Sequence, residues 1–151
     1  MLVVLDTNVL LSALRGERSP PAAILDAWRA GRFSLVTSGE QIEEFKRAAR
    51  YPQLRQYLPR RAVGRVVNEL RSAELLLERL RRTGDSPDPG DDYLLAMATA
   101  SGADVFVTGD EALLALKRIG VTRIVSPRRF ATVLGVAVSP RTSSRKDPVI
   151  E

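Results

Sequence analysis

Two aspartates stand where short apolar runs, typical of buried strands, give way to helical patterns. Asp6 directly follows LVVL at residues 2–5, and Asp110 comes shortly after DVFV at residues 104–107. A third, Asp92, opens an apolar pattern at helical spacing. The carboxyl ends of parallel strands meet at one edge of a sheet, where ligands bind, so we expect these acids to converge there. Hard cations such as Mg²⁺ and Mn²⁺ take carboxylate ligands readily, so this arrangement indicates a metal site.

Each of these acids also fits the simpler role of a helix N-cap. Asp-Thr-Asn is a good capping sequence, and on its own Asp6 is better explained that way. Thr108 can cap the helix after the second run in place of Asp110. Asp91 is a better cap than its neighbour Asp92, and a cation would relieve the repulsion between these two carboxylates. Convergence of three acids on one edge favours a metal site over three unrelated caps.

A fourth acid, Glu44, has weaker support from the residues alone. It lies in a helix that we expect to begin at Ser38, with Gln41 three positions later in capping-box register. Glu40, Glu43 and Glu44 all suit an exposed helix surface, and their spacing singles out none of them. The pattern therefore leaves the position of a fourth ligand open.

The composition restricts the available chemistry. The chain has no His and no Cys, which excludes Ser-His-Asp hydrolysis, His-ligated zinc and thiolate metal sites. No apolar run is long enough to span a bilayer, and the opening MLVVLD does not resemble a signal peptide. We therefore expect a cytoplasmic protein whose chemistry depends on carboxylates and a hard cation.

Positive charge is concentrated in one stretch of the chain. Residues 46–82 contain eleven Lys or Arg against three Asp or Glu, within a chain of formal net charge +5. A basic region beside an acidic remainder suits a polyanion held against a metal-binding cleft. An arginine-rich, solvated helix face explains the same pattern, and composition does not separate the two interpretations.

Apolar periodicity predicts alternating strands and helices. Strands are expected at residues 2–5, 33–37, 104–107 and 122–125, and helices at about 9–15, 20–31, 91–101, 110–118 and 127–134, with two more beginning near 38 and 60. The leucines at 75–80 fit either a longer helix or a short strand. Such alternation predicts an α/β three-layer sandwich with a mainly parallel, Rossmann-like sheet. Residues 137–151 are expected to form a disordered tail, since nearly all of this stretch lacks an apolar period.

Three segments together resemble the motifs of PIN domains. VVLDTNVLLSAL resembles the opening of that family and identifies Asp6 as the first metal-binding acid. SGEQIEEFKRAARYP resembles the second motif, whose acid precedes an apolar helical residue and so corresponds to Glu44. DPGDDYLLAMATASGADVFVTGDEALL resembles the third and fourth motifs and supplies Asp92 and Asp110. The resemblance covers about residues 1–136, which are expected to form a PIN-like nuclease domain.

The resemblance implies an activity and partners. Within that family the chain resembles bacterial PIN proteins assigned as toxins of type II toxin–antitoxin systems, related to VapC-like ribonucleases. It implies a strand near residues 74–78 and a Mg²⁺- or Mn²⁺-dependent endoribonuclease that cleaves single-stranded RNA and leaves 5′-phosphate and 3′-hydroxyl ends. As a hypothesis, one or two cations held by the four acids activate a water for in-line attack on the phosphate. A cognate antitoxin and a homodimer are further family expectations.

Other residues are expected to support this site. Thr7, Asn8 and Thr108 match family positions beside the metal, and Asp91 stands next to the third acid. Asn8 and Thr108 would hydrogen-bond the carboxylates or bound waters. Four arginines are expected to hold the RNA backbone: Arg47, Arg50, Arg60 and Arg61.

One position departs from the family pattern. Relatives often carry another acid two residues after the fourth one, where this chain has Ala112 beside Glu111, so metal affinity is expected to be lower unless Glu111 substitutes. The main alternative is a catalytically weak or inert PIN scaffold that binds RNA. A receiver domain would need Lys117, which falls late in a helix, as its partner lysine. A haloacid-dehalogenase-type phosphatase would need its second aspartate at Asn8, so both fit poorly.

Overall fold

The computed structural model describes residues 1–16, 18–78 and 92–136, with only the backbone described for Asp92. The strands are β1 (Leu2–Leu5), β2 (Ser34–Ser38), β3 (Leu75–Leu77), β4 (Val105–Val107), β5 (Arg118–Ile119) and β6 (Thr122–Val125). The helices are α1 (Thr7–Arg15), α2 (Pro20–Arg29), α3 (Gly39–Ala48), α4 (Pro52–Arg55), α5 (Arg60–Arg71), α6 (Asp92–Ser101), α7 (Glu111–Leu114) and α8 (Pro127–Leu134). The tail predicted at residues 137–151 lies outside the described residues.

The strands form one six-stranded sheet in the order β3-β2-β1-β4-β6-β5. β1 pairs in parallel with β2 on one side and β4 on the other, so that Val3 lies opposite both Leu35 and Val105. β3 and β6 extend the parallel arrangement, while the short β5 pairs antiparallel with β6. This order places the carboxyl ends of β1 and β4 side by side. The prediction of a mainly parallel α/β sheet is confirmed.

Alternate side chains of the central strands enter two separate cores, one on each face of the sheet. Val3 and Leu5 belong to the larger core with residues of α1, α2, α3, α5 and α8, whereas Val4 belongs to the second core with residues of α6 and α7. Successive side chains of a strand point to opposite faces. Because both faces of β1 are covered by helices, the strand is a continuous apolar run with no polar alternation. The prediction of a three-layer sandwich, with helices on both faces of the sheet, is confirmed.

One element differs from its prediction. The helix expected at residues 110–118 ends at Leu114, and Arg118–Ile119 forms β5. Lys117 takes a left-handed conformation, with φ of 62°, and its carbonyl accepts the N–H of Ile124 from β6. Gly120, with φ of 58°, then closes the hairpin. Pairing with a neighbouring strand satisfies backbone groups that a longer helix would otherwise have used, so the helix stops early.

The other helices and strands that were predicted begin and end within about two residues of the predicted positions. The leucine run contains a strand at Leu75–Leu77, as the family resemblance implied, and α4 is a short helix that the apolar pattern did not predict. None of the described helices combines the length and apolar character needed for a membrane span.

Candidate functional site

Asp6 lies at the junction of β1 and α1, buried to 4% exposure. Its Oδ1 accepts the backbone N–H of Asn8 at 3.0 Å, so it is the N-cap of α1, as the simpler interpretation held. Its Oδ2 accepts the hydroxyl of Thr108, at the end of the neighbouring β4, at 2.7 Å. A cap needs only the first of these contacts. The second fixes the carboxylate towards the adjacent strand.

Asp110 follows β4 in the same way and caps α7. Its Oδ1 accepts the backbone N–H groups of Ala112 at 2.8 Å and Leu113 at 3.1 Å. The Thr108 hydroxyl accepts the backbone N–H of Asp110 at 3.0 Å while donating to Asp6. Thr108 is therefore not the cap of this helix; it joins the two acid-bearing segments to each other.

The electrostatics of Asp6 favour a cation. Burial raises the pKa of its carboxyl above the ordinary value; the hydrogen bonds from Asn8 and Thr108 lower it, and the negative charge of Asp110 raises it further. Within the described part of the chain, no Lys or Arg forms an ion pair with Asp6 or Asp110. A bound cation would neutralise this pair and stabilise the charged form of Asp6.

The start of α6 lies beside the start of α1. The hydroxyl of Tyr93, the second residue of α6, is 2.8 Å from the hydroxyl of Thr7, the first residue of α1. Asp92 immediately precedes Tyr93, so its backbone is at the same edge of the sheet as Asp6. The side chain of Asp92 and all of Asp91 lie outside the described residues.

Glu44 is not brought to this edge by any contact among the described residues. Its half-buried side chain lies on α3 and forms an ion pair with Arg47, one turn later. The Asn8 side chain is exposed, and it is the backbone N–H of Asn8 that contacts Asp6. The geometry therefore groups Asp6, Asp110 and the backbone at Asp92, and leaves Glu44 paired with a base.

A buried glutamine that the sequence analysis treated only as a capping residue reaches this edge. The N–H of Gln41 does donate to Ser38 Oγ, at 3.1 Å. Its side chain points inward, where Nε2 donates to the carbonyl of Leu5 at 2.6 Å and to Thr7 Oγ1 at 3.3 Å, and Oε1 accepts the hydroxyl of Thr37 at 2.7 Å. The signal was present: Gln41 stands next to an apolar position on the buried face of an amphipathic helix.

The donors at this edge suit a hard cation. Carboxylate oxygens without imidazole or thiolate are the ligands of Mg²⁺ and Mn²⁺ rather than of zinc. No group of three or more acids close enough to hold a metal jointly occurs among the side chains that the structure describes. Asp6 and Asp110 are thus two carboxylates that could bind such a cation, and a larger set of protein ligands would need Asp92 or a movement of Glu44.

The arginines expected to bind RNA lie on the surface around α3 and α5, which pack against each other. Arg50, Arg60 and Arg61 are exposed, and they form no ion pair within the residues described. Arg61 also lines a groove of about 540 Å³ along α5. Arg47 is exposed as well, but it is held by Glu44. Three of the four are thus available to a polyanion.

Known proteins share this fold. The solved PIN domain of human SMG5 has the same fold, with a TM-score of 0.50 at 13% sequence identity, over 88% of this chain and 98% of that one. At that identity the likeness concerns the fold alone. No curated protein sequence matches the chain. The family model of the PIN domain matches residues 2–112, a range that contains Asp6, Glu44, Asp92 and Asp110, and the chain belongs to the PIN domain family.

Proposed function

We propose that this protein is a Mg²⁺- or Mn²⁺-dependent endoribonuclease that hydrolyses single-stranded RNA. The observation that carries the proposal is the buried Asp6 carboxylate, whose pKa is raised and which has Asp110 nearby and no basic partner among the described residues. A protein that keeps two acids together without a base gains stability from a cation. PIN domains are generally nucleases and typically use divalent metals, which agrees with this arrangement.

The proposed roles of the acids follow from their positions. Asp6 and Asp110 hold the cation from neighbouring strand ends, and Asp92 adds a ligand from the first turn of α6. Glu44 joins only by exchanging Arg47 for the cation, an exchange that would release this arginine towards the RNA. When bound, Mg²⁺ or Mn²⁺ lowers the pKa of water and offsets negative charge at the scissile phosphate. Thr108 keeps Asp6 oriented by donating to Oδ2.

The basic face supports a polyanionic substrate. We propose that Arg47, Arg50, Arg60 and Arg61 bind phosphates of the RNA backbone. Such contacts release counterions, so the affinity of this face for RNA should fall steeply as salt rises. The phosphate contacts hold the strand without reading its sequence, and the acids act where the strand crosses the carboxyl edge of the sheet.

The finer assignment rests on the family resemblance. We propose that the enzyme acts in the cytoplasm as the toxin of a toxin–antitoxin pair, as a homodimer restrained by its antitoxin. A second candidate function is a weakly active or inert RNA-binding scaffold. Two observations favour this second candidate: Glu44 is paired with Arg47, and Ala112 stands where relatives often have another acid.

Cleavage of labelled single-stranded RNA with Mn²⁺, Mg²⁺ or EDTA tests the proposal. Asp6→Asn is the informative variant, because Asn retains an oxygen to accept the Asn8 N–H, whereas Ala would also remove the helix cap at a cost of about 1 kcal/mol. Asp26→Asn, on the exposed side of α2, is the matched control. We expect metal-dependent cleavage that falls by more than about a hundredfold in Asp6→Asn, beyond the range for residues that only orient a metal ligand.

The outcomes separate the two candidate functions. Cleavage that persists in EDTA, or in Asp6→Asn at wild-type rate, would show that the carboxylate site is not catalytic. Binding of Mn²⁺ and RNA without cleavage of any strand would favour the scaffold.

A further inference from the structure

We propose that Tyr93 and Gln41, acting through Thr7, are positioning residues that set the affinity of the site for its cation. This inference rests on the proposed metal-dependent function. It concerns three neutral side chains that would never touch the metal themselves. Their hydrogen bonds connect the segments from which the acids project.

Each member of this group is close in sequence to a different acid. Thr7 directly follows Asp6, and Tyr93 directly follows Asp92. Gln41 precedes Glu44 by three residues on α3. A chain of two hydrogen bonds, from the Tyr93 hydroxyl to Thr7 Oγ1 at 2.8 Å and from Gln41 Nε2 to Thr7 Oγ1 at 3.3 Å, therefore joins three acid-bearing segments.

The fourth segment is joined by the same kind of contact. Thr108 donates to Asp6 and accepts from the backbone of Asp110. All four segments of the proposed ligand set are thus held by hydroxyl or amide groups, at separations of 34 to 102 residues along the chain. Contacts this distant in sequence are not needed to begin α1, α3 or α7, which are capped by Asp6, Ser38 and Asp110.

The hydrogen-bonding groups of the Gln41 and Thr7 side chains have partners. Gln41 is 1% exposed and both ends of its amide have partners, as a buried amide requires. A threonine hydroxyl offers one donor and two acceptor positions, enough for Gln41 and Tyr93 together. In the described residues no buried side-chain N or O atom lacks a partner. Removing the Thr7 hydroxyl would take one hydrogen bond from Gln41 and one from Tyr93.

Neutral groups suit this position for an electrostatic reason. A lysine or arginine among converging acids would pair with a carboxylate, as Arg47 does with Glu44, and would compete with the cation. Hydroxyls and amides fix the backbone without adding charge. Ligand sets must be held to within about 0.5 Å by such supporting contacts. Loss of the Tyr93 hydroxyl would therefore loosen the start of α6 and with it Asp92.

Binding of Mn²⁺ alone, followed by the loss of its free-ion electron paramagnetic resonance signal, tests this without any RNA. Tyr93→Phe removes a single oxygen, and Thr7→Val removes the hydroxyl that both partners share. Tyr51→Phe, on an exposed tyrosine 43% accessible to solvent, is the matched control. Melting of each metal-free protein reports stability separately.

We expect Tyr93→Phe and Thr7→Val to weaken Mn²⁺ binding about tenfold, as residues that orient metal ligands do. Thr7→Ser keeps the hydroxyl and should bind as wild type does, and so should Tyr51→Phe.

Unchanged Mn²⁺ affinity in Tyr93→Phe, with a lower melting temperature, would overturn the inference and leave the group a purely structural one. If Thr7→Val fails to fold, the comparison of Tyr93→Phe with Tyr51→Phe still decides. Absence of Mn²⁺ binding by the wild-type protein would instead refute the metal site itself, and this inference with it. The failure of the inference and that of the proposed function are thus distinguishable.

Discussion

The two ends of the same sheet use acids in opposite ways. At the amino ends of the strands, Glu74 precedes β3 and Asp104 precedes β4. Glu74 Oε1 accepts the N–H of Leu35 at 2.9 Å and the indole N–H of Trp28 at 3.1 Å, and Asp104 Oδ2 accepts the N–H of Leu2 at 2.8 Å. These acids join neighbouring strands and a helix. At the carboxyl ends, Asp6 and Asp110 lie close enough for the charge of Asp110 to raise the pKa of Asp6.

The pKa values of Glu74 and Asp6 are shifted in opposite directions. Burial raises the pKa of Glu74, but hydrogen bonds from Leu35, from its own backbone and from Trp28 together bring it below the ordinary value. Burial also raises the pKa of Asp6, and there the hydrogen bonds from Asn8 and Thr108 do not compensate. An acid whose donors outweigh its desolvation stabilises the fold. An acid whose desolvation outweighs its hydrogen bonds destabilises the metal-free fold. A cation bound beside such an acid would remove that destabilisation.

The largest effect is expected on RNA cleavage, when acids at the two ends of β4 are changed in the same way. Asp104→Asn and Asp110→Asn make the same change just before and shortly after β4. Asp110→Asn should reduce RNA cleavage by more than about a hundredfold, because it removes a proposed metal ligand while keeping an oxygen that can cap α7. Asp104→Asn should cleave normally. Rates measured under identical Mn²⁺ concentrations check this, and equal losses in both variants would break the comparison.

A smaller effect concerns the stability of the metal-free protein. The raised pKa means that folded Asp6 binds a proton more readily than unfolded Asp6. Stability therefore falls as pH rises from the ordinary value through the raised one, and stays lower above it. Asp6→Asn lacks this loss and should be more stable than the wild type at neutral pH when no metal is bound.

Thermal melts of both proteins across pH, with EDTA present, measure that difference. It should shrink as the pH approaches the ordinary value for an aspartate. Saturating Mn²⁺ should reverse the order, since only the wild type keeps the full ligand set. A wild type more stable than Asp6→Asn at neutral pH without metal would contradict the sign assigned to Asp6.

The smallest effect is expected at Glu74, with the opposite sign. Because its folded pKa is lowered, its contribution to stability is complete above the ordinary value and is lost as pH falls through the lowered one. Glu74→Gln should be less stable than wild type at neutral pH, by well under about 1 kcal/mol because the side chain is exposed. Melts over the same pH range check this, and a deficit that grew in acid would show that Glu74 behaves as Asp6 does.

Much of the fold and part of the site could be predicted from the sequence. The apolar runs of β1 and β4 and the helical spacing after them are local patterns, so strands, helices and their parallel arrangement followed from residue order. The same order put Asp6, Asp110 and the start of α6 at one edge. The absence of His and Cys limited the expected ligands to oxygen.

What the tertiary structure decided depends on contacts between distant residues. It turned Gln41 inward towards Leu5 and Thr7, and it joined Thr108 to Asp6. It also gave Asp6 and Glu74 opposite pKa shifts, although the residue types are alike. Desolvation and hydrogen-bond partners are set by neighbours up to 102 residues away, as between Asp6 and Thr108, and no local pattern carries that information.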